Sequence, residues 1–326
     1  MSTVNPPGQA DTFHRPPLTY PGNKAELAPE IIARIPPHET YVEPFGGTAG
    51  ILFRKKPSRN EVINDLNSDL TNFMVVLRDE VQALVDYLRA TPYSEEEYQR
   101  VKSRWRDGIR PDDDVVQAAQ LFLLRRASFG ADIGGFRATA CGRKNSARQF
   151  SNARERLFEL SDRLDEVIIH NQDWRTIVEK YAHPDAFMYL DPPYRGKQQY
   201  YDCEYDPILF ENYWICQFDG SPNATEADVY PGQGPPAFLE QSVFTESDTE
   251  HHYGTVGNPF PVMFSSHGPM EALEPYTWNL SLPFTHEVNN KGGSKTVSET
   301  LTMNYDPFAD DFQPFIGRDQ QSLATY

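Results

Sequence analysis

Residues 187–194 read Phe-Met-Tyr-Leu-Asp-Pro-Pro-Tyr, an apolar run that ends in an acid, two prolines and an aromatic. Such an ending suits one demanding reaction, methylation of the exocyclic amine of a nucleobase, whose lone pair is delocalised into the ring. The Asp191 carboxylate and a main-chain carbonyl of Pro192 or Pro193 can accept hydrogen bonds from the NH2 group and draw that lone pair out of the ring plane. Proline fixes φ and has no competing N–H, so its carbonyl is a rigid acceptor. Tyr194 could then stack on a base swung out of a duplex. The same letters also spell an ordinary Pro-Pro turn closing a strand.

A second set of residues lies earlier in the chain. Gly46-Gly47-Thr48-Ala49-Gly50 directly follows the strand-like Tyr41–Phe45, and glycines there let a backbone approach a ligand closely. A further short strand ends at Asp65, where a carboxylate can accept hydrogen bonds from ribose hydroxyls. Asp65 could instead cap a helix, although Asn67 and Ser68 offer the same chemistry. Tyr20-Pro21-Gly22-Asn23-Lys24 is a turn with an aromatic that could cover a flat ring and a cation that could hold a carboxylate; it is equally a turn with a surface lysine. Asp173 has two open roles, acceptor for a cofactor adenine amine or cap of a helix starting near Trp174. His251, His252 and His267 lack further ligands at metal-site spacing, so no metal is expected.

The elements that must position these residues follow from apolar periodicity. Leu27–Ile35 predicts a helix, Tyr41–Phe45 and Val62–Asp65 strands, and Ile51–Arg54 the opening of a helix between them. From Leu70 to about Leu164 the pattern is helical, with helices expected at Asn72–Arg89, Glu95–Arg104, Val115–Phe129 and Asn152–Leu164. Strand rhythm resumes at Val167–His170, Ala186–Leu190 and Val262–Ser265. Asn279–Val288 and Val297–Tyr305, separated by Asn-Asn-Lys-Gly-Gly-Ser, read as a closing β-hairpin. The sum is an α/β protein with a doubly wound, Rossmann-like sheet, a closing hairpin and a mainly helical insertion.

The chain has 326 residues, 39% hydrophobic and 24% charged, and its three cysteines fit neither a disulfide framework nor a zinc site. No apolar stretch approaches a membrane span, so no membrane partner and a cytoplasmic, reducing location are expected. A net charge of −17 argues against a nucleic-acid partner, yet the charge is unevenly spread. Gly134 to Arg154 holds five basic residues and no acid, whereas Gln198 to Asn290 holds fourteen acids and no Lys or Arg. A focused basic face beside an acidic shell is compatible with DNA.

Taken in order, Tyr20–Lys24, Val42-Glu-Pro-Phe-Gly-Gly47, Asn64-Asp-Leu-Asn-Ser-Asp69, Tyr189–Tyr194, Asn289–Ser294 and Ser298–Tyr305 resemble the Dam-like, D12 class DNA adenine N6-methyltransferases, in the motif order called the alpha group. The resemblance implies S-adenosylmethionine as methyl donor and double-stranded DNA as substrate. It places the cofactor at Tyr20, Lys24, Gly46, Gly47, Asp65 and Asp191, and the target adenine at Asp191, Pro192, Pro193 and Tyr194; Phe45, beside the glycine turn, and Asp173, after the strand Val167–His170, are added to the cofactor side from their positions. It suggests DNA contacts at Arg126, Arg137, Arg143, Lys144, Arg148, Lys291 and Lys295. Residues 16–70 and 165–310 correspond to a catalytic domain and 71–164 to an inserted target-recognition domain. Residues 198–260 form an acidic insertion within the catalytic domain, of which 198–243 have no counterpart in the family, and 1–15 and 311–326 are tails. Asn23 stands where the family commonly has glycine, and the match fades within 125–150, so no recognition sequence carries over. Such an enzyme acts as a monomer or weak dimer, alone or beside a restriction endonuclease. An N4-cytosine methyltransferase or a silent DNA-binding relative are the rival readings.

Overall fold

The computed structural model describes residues 15–20, 22, 24, 26–129, 133–141, 144–193, 210, 214, 260–266, 270, 273, 277–288 and 293–308; at 278, 284–288 and 293–297 it describes the backbone alone. In chain order the elements begin with α1 (Ala28–Ile32), β1 (Thr40–Glu43), β2 (Asn60–Asn64), α2 (Ser68–Asp79), α3 (Val81–Ala90), α4 (Glu95–Arg106) and α5 (Asp114–Ala127). There follow β3 (Ala140–Cys141), β4 (Lys144–Asn145), α6 (Ser146–Glu155), α7 (Leu157–Leu164), β5 (Val167–His170) and α8 (Trp174–Tyr181). Last come β6 (Ala186–Leu190), β7 (Val262–Ser266), β8 (Trp278–Val288) and β9 (Gly293–Met303).

These elements fall into two compact units, one built on Arg34–Pro44 and Arg175–Tyr326, the other on Gln9–Ala33 and Phe45–Trp174. In the first, the strand order is β1-β6-β7-β9-β8. β1, β6 and β7 run parallel, while β9 and β8 form the closing antiparallel hairpin, with Trp278 opposite Met303. All five β6 residues are buried, as befits a parallel strand covered on both faces. Asn304 pins the hairpin's end to β7, its Oδ1 accepting from the Val262 N–H at 2.8 Å and its amide donating to the Phe260 carbonyl at 3.0 Å.

The second unit pairs β2 with β5 in parallel, Asn64 level with His170, and surrounds them with helices. Four helix starts carry a side-chain cap. Asn67 accepts from the Asp69 and Leu70 N–H groups for α2, Ser94 from Glu97 for α4, Asp113 from Val116 for α5 and Asn145 from Arg148 for α6. α5 is buried along most of its length, and its one polar interior residue, Gln120, is satisfied by the Trp105 indole N–H at 2.8 Å.

Three expectations need correction. No α-helix lies between β1 and β2: Ile51–Arg54 forms turns, with Arg54 N–H bonded to the Ile51 carbonyl and Lys55 N–H to the same oxygen. Positive φ at Gly47 and Ala49 and a proline at position 57 leave that connection no room to propagate a helix. The single helix expected over Asn72–Arg89 is two, because Glu80 leaves helical space at φ −132°. Asn152–Leu164 likewise divides at Arg156, with α6 starting earlier, at Ser146. Among the described residues no helix is long and apolar enough to cross a membrane.

Candidate functional site

In the helical unit the glycine turn is fastened to the end of β2. The Gly46 N–H donates to the Asn64 carbonyl at 2.6 Å, and a Cβ at position 46 would meet that oxygen at 3.1 Å. A side chain at position 46 would therefore crowd the neighbouring strand as well as any ligand. Gly47 has φ +52°, a left-handed conformation that side chains resist. It turns its N–H onto Asp65 Oδ2 at 2.7 Å, while the Asn67 N–H takes Oδ1 at 2.9 Å. Burial raises the Asp65 pKa, against the pull of these two donors. Each oxygen keeps a second lone pair for a ligand hydroxyl.

The same strand end gathers the loop after β5. The Asn64 amide donates to the Gln172 carbonyl at 2.9 Å, and the Gln172 N–H returns to Asn64 Oδ1 at 2.8 Å. Asn171 donates to the Asp65 carbonyl at 2.7 Å. Asp173 follows directly, and Trp174 stacks on Phe45 with ring centroids 5.9 Å apart. Phe45, Gly46, Gly47, Asp65 and the loop bearing Asp173 are thus brought together. Sequence reasoning missed Asn171, Gln172 and Trp174 as parts of this arrangement; their only signal is position, immediately after a strand that pairs with β2.

Lys24 is buried at 7% exposure and donates to the Gly22 carbonyl at 3.0 Å. The Tyr20 ring is covered by the Arg125 guanidinium at 4.2 Å. Pro21 and Asn23 lie outside the described residues, as do Arg143, Tyr194, Lys291, the three histidines and most of the acidic insertion.

Of the basic candidates, Lys144 and Arg148 are exposed on and beside the β3–β4 hairpin. The loop leading to it is fixed from within: Tyr93 donates to the Arg137 carbonyl at 2.7 Å, Tyr98 to the Gly134 carbonyl at 2.8 Å, and the Arg137 Nε to the Ser128 carbonyl at 3.0 Å. Arg126 is half-buried and donates to the Pro16 carbonyl at 3.3 Å. Burial first, then the charges of Arg156, Arg137 and Arg15, lower its pKa to about 10. Lys295 stands on β9 opposite His286, described by its backbone alone.

In the other unit Asp191 is half-buried just past β6, with Pro192 and Pro193 buried behind it. Three further polar groups lie deep in this unit: Glu43 at 2% exposure, Glu299 at 1% and Tyr189 at 2%. Tyr41 donates to Glu43 at 2.8 Å and Ser265 to Glu299 at 2.5 Å. Burial pushes the Tyr189 phenol far above its ordinary range, the Asp191 charge adding to it.

Parallel strands, a glycine turn against a strand end and an acid held beneath it define an α/β protein on the nucleotide-binding plan. Within that class the chain belongs to the D12 class N6 adenine-specific DNA methyltransferase family, whose model matches residues 20–207. It is 25% identical to the type II methyltransferase M.MjaIII of Methanocaldococcus jannaschii over 56% of this chain and 69% of that protein. It is 25% identical to M.CviBI of Paramecium bursaria Chlorella virus NC1A over 63% and 74%. To M1.LlaDCHI of Lactococcus lactis subsp. cremoris it is 29% identical over 55% and 66%. Among the described residues no group of His, Cys, Asp and Glu could hold a metal ion.

Proposed function

We propose that the chain methylates the N6 amine of an adenine flipped out of double-stranded DNA, at a specific sequence, with S-adenosylmethionine as donor. Membership of the family supports the reaction class, and the observation that carries the site is Asp191 placed at the tip of a fully buried strand with two buried prolines behind it. The cofactor would be held by Asp65 through its ribose, by Lys24 through its carboxylate and beside the Gly46–Gly47 turn, with Tyr20, Phe45 and Asp173 around its adenine. The residues fit: Asp65 is half-buried and braced by two N–H groups, yet retains acceptor capacity toward hydroxyls. Bound there, S-adenosylmethionine supplies an electrophilic methyl group.

The chain's own part is positioning and charge stabilisation. Asp191 and the Pro192 carbonyl accept the two N–H bonds of the target amine, and Tyr194 stacks on the base. As positive charge builds on N6, the Asp191 carboxylate stabilises it more than it stabilises the neutral amine. The rigid diproline makes the second acceptor independent of solvent reorganisation. Arg137, Lys144 and Arg148, with Arg126, Arg143, Lys291 and Lys295, are the proposed DNA contacts, in a recognition domain spanning 71–164. A restriction endonuclease cutting the same sequence is the proposed functional partner, as for a type II modification enzyme.

DNA from cells expressing the protein is expected to carry N6-methyladenine in one sequence context, read by modification-aware sequencing and by mass spectrometry of hydrolysed DNA. N4-methylcytosine instead, or unmodified DNA, would overturn the assignment. A second expectation concerns pH. Because the Asp65 pKa is raised, its carboxylate protonates at a higher pH than an ordinary one, and acidification weakens ribose binding early. Calorimetric affinity for S-adenosylmethionine should therefore fall above the usual carboxylate range, and Asp65→Asn should abolish that pH dependence; an unchanged profile in the variant removes Asp65 from the cofactor site.

A further inference from the structure

The strand register of the Asp191 unit sets several polar side chains on one face. Tyr41 is level with Phe187 and Val42 with Met188, which puts Glu43 level with Tyr189. Tyr189 is level with Met263, and Ser265 with Leu301. Alternate residues of a strand share a face, so Glu43, Tyr189, Ser265 and Glu299 form one layer at the carboxyl ends of the parallel strands. Asp191, two residues past Tyr189, continues it.

Within this layer each hydroxyl can be traced to an acceptor, with one exception. Tyr41 donates to Glu43 and Ser265 to Glu299. The Tyr189 hydroxyl is buried and makes no hydrogen bond of normal geometry among the described residues, although the Ser265 hydroxyl, itself bonded to Glu299, is close enough to interact with it. Its strand neighbours Phe187, Met188 and Leu190 are all apolar, and phenylalanine would fill the same space without an orphaned donor. A buried, unsatisfied hydroxyl is costly, and one that persists calls for a use outside the resting structure.

We propose that Tyr189 is a positioning residue for Asp191, its hydroxyl donating to the carboxylate and orienting it toward the substrate amine. This rests on the methyltransferase reading of Asp191. The bond holds one carboxylate lone pair and leaves another to meet the N–H of the base that the Pro192 carbonyl does not take. Tyr189 keeps its proton for this task throughout the working range, since burial, and then the nearby charges of Asp191, Glu299 and Glu43, oppose its ionisation. Ser265, already committed to Glu299, braces the layer from the β7 side.

The test is Tyr189→Phe in the full chain, assayed by single-turnover methyl transfer, DNA and cofactor affinity, and thermal melting. The transfer rate is expected to fall about 10- to 100-fold, less than the roughly 10²–10³ lost with a group that meets the developing charge itself, because Tyr189 acts through Asp191. Affinities should hold, and the melting temperature should stay the same or rise, because the substitution removes an orphan and not a bond. The acid limb of the rate should move to higher pH, as Asp191 loses a donor that favours its ionised form. A transfer rate equal to wild type, or a loss that merely tracks loss of folded protein, overturns the positioning role while leaving the methyltransferase reading intact. A wild-type chain that methylates no DNA overturns that reading and this one with it.

Discussion

Asp191→Ala is expected to cut methyl transfer by about 10²- to 10³-fold in the single-turnover rate, while leaving the fold in place. The size follows from what the carboxylate does. It meets a charge that exists only as the new bond forms, and removing one such preorganised group costs on the order of 10²–10³ in rate. The carbonyl of Pro192 would remain, but a single acceptor cannot hold both N–H bonds of the amine. Stability should change little because Asp191 is only half-buried and lies beyond the end of β6, whose five residues carry the packing. Circular dichroism melts and S-adenosylmethionine affinity are the controls. Normal turnover in the variant would refute the role of Asp191, and with it the reading of the diproline tip as an amine clamp. Asp191→Asn should recover only a minor part of the rate, since an amide keeps the acceptor oxygen but not the charge.

Much of the fold is legible in the amino-acid order, for reasons that differ by element. β5 and β6 fall where short apolar runs place them, Val167–His170 and Ala186–Leu190; for β6 the reason is burial on both faces, which makes a strand a continuous hydrophobic segment bounded by polar loops, whereas in β5 only Val167 is buried and the β-branched run itself is the signal. The break at Glu80 leaves no such mark. Glu80 N–H still bonds to the Val76 carbonyl and Leu84 N–H to that of Glu80, so both helices keep their apolar spacing across it. At the site, Gly46, Gly47 and Asp65 are legible as a pattern, but the physical demand on Gly46 is not. That demand comes from the Asn64 carbonyl, a neighbour defined only by folding. The Asn64–Gln172 pair, the Phe45–Trp174 stack and the Ser265–Glu299 bond are equally invisible, since each joins residues far apart in sequence without a local motif. Charge composition has the same blind spot: Arg126 counts as one cation among several, and nothing in the letters shows that it is half-buried against the Pro16 carbonyl.

The largest stability effect is expected at Glu61, in the segment that leads into Asp65. Its carboxylate is buried at 4% exposure and meets Lys55 Nζ at 2.5 Å, the Arg163 guanidinium at 2.5 and 2.9 Å, and the Ser58 N–H at 3.1 Å. Lys55 also donates to the Lys56 carbonyl and Ser58 Oγ, and Arg163 to the Leu52 carbonyl. The cluster therefore ties the connection after the glycine turn to β2 and α7. Glu61→Ala strands two buried cations, which typically costs about 3–5 kcal/mol, measurable as urea-unfolding free energy. Glu61→Gln should cost less, because it keeps acceptor geometry. The sign with pH is fixed by the folded carboxyl. Burial alone would raise its pKa, but Arg163 and Lys55 together outweigh burial and hold it low. Stability from the cluster is then complete above the ordinary carboxylate pKa and is lost as pH falls through the depressed one. The gap between wild type and Glu61→Gln should close on acidification through that window. A Glu61→Ala protein within about 1 kcal/mol of wild type, the level of an exposed ion pair, would show the cluster to be dispensable. Because Glu61 lies near the start of the strand whose end carries Asp65, the same variant should also weaken S-adenosylmethionine binding in whatever fraction remains folded.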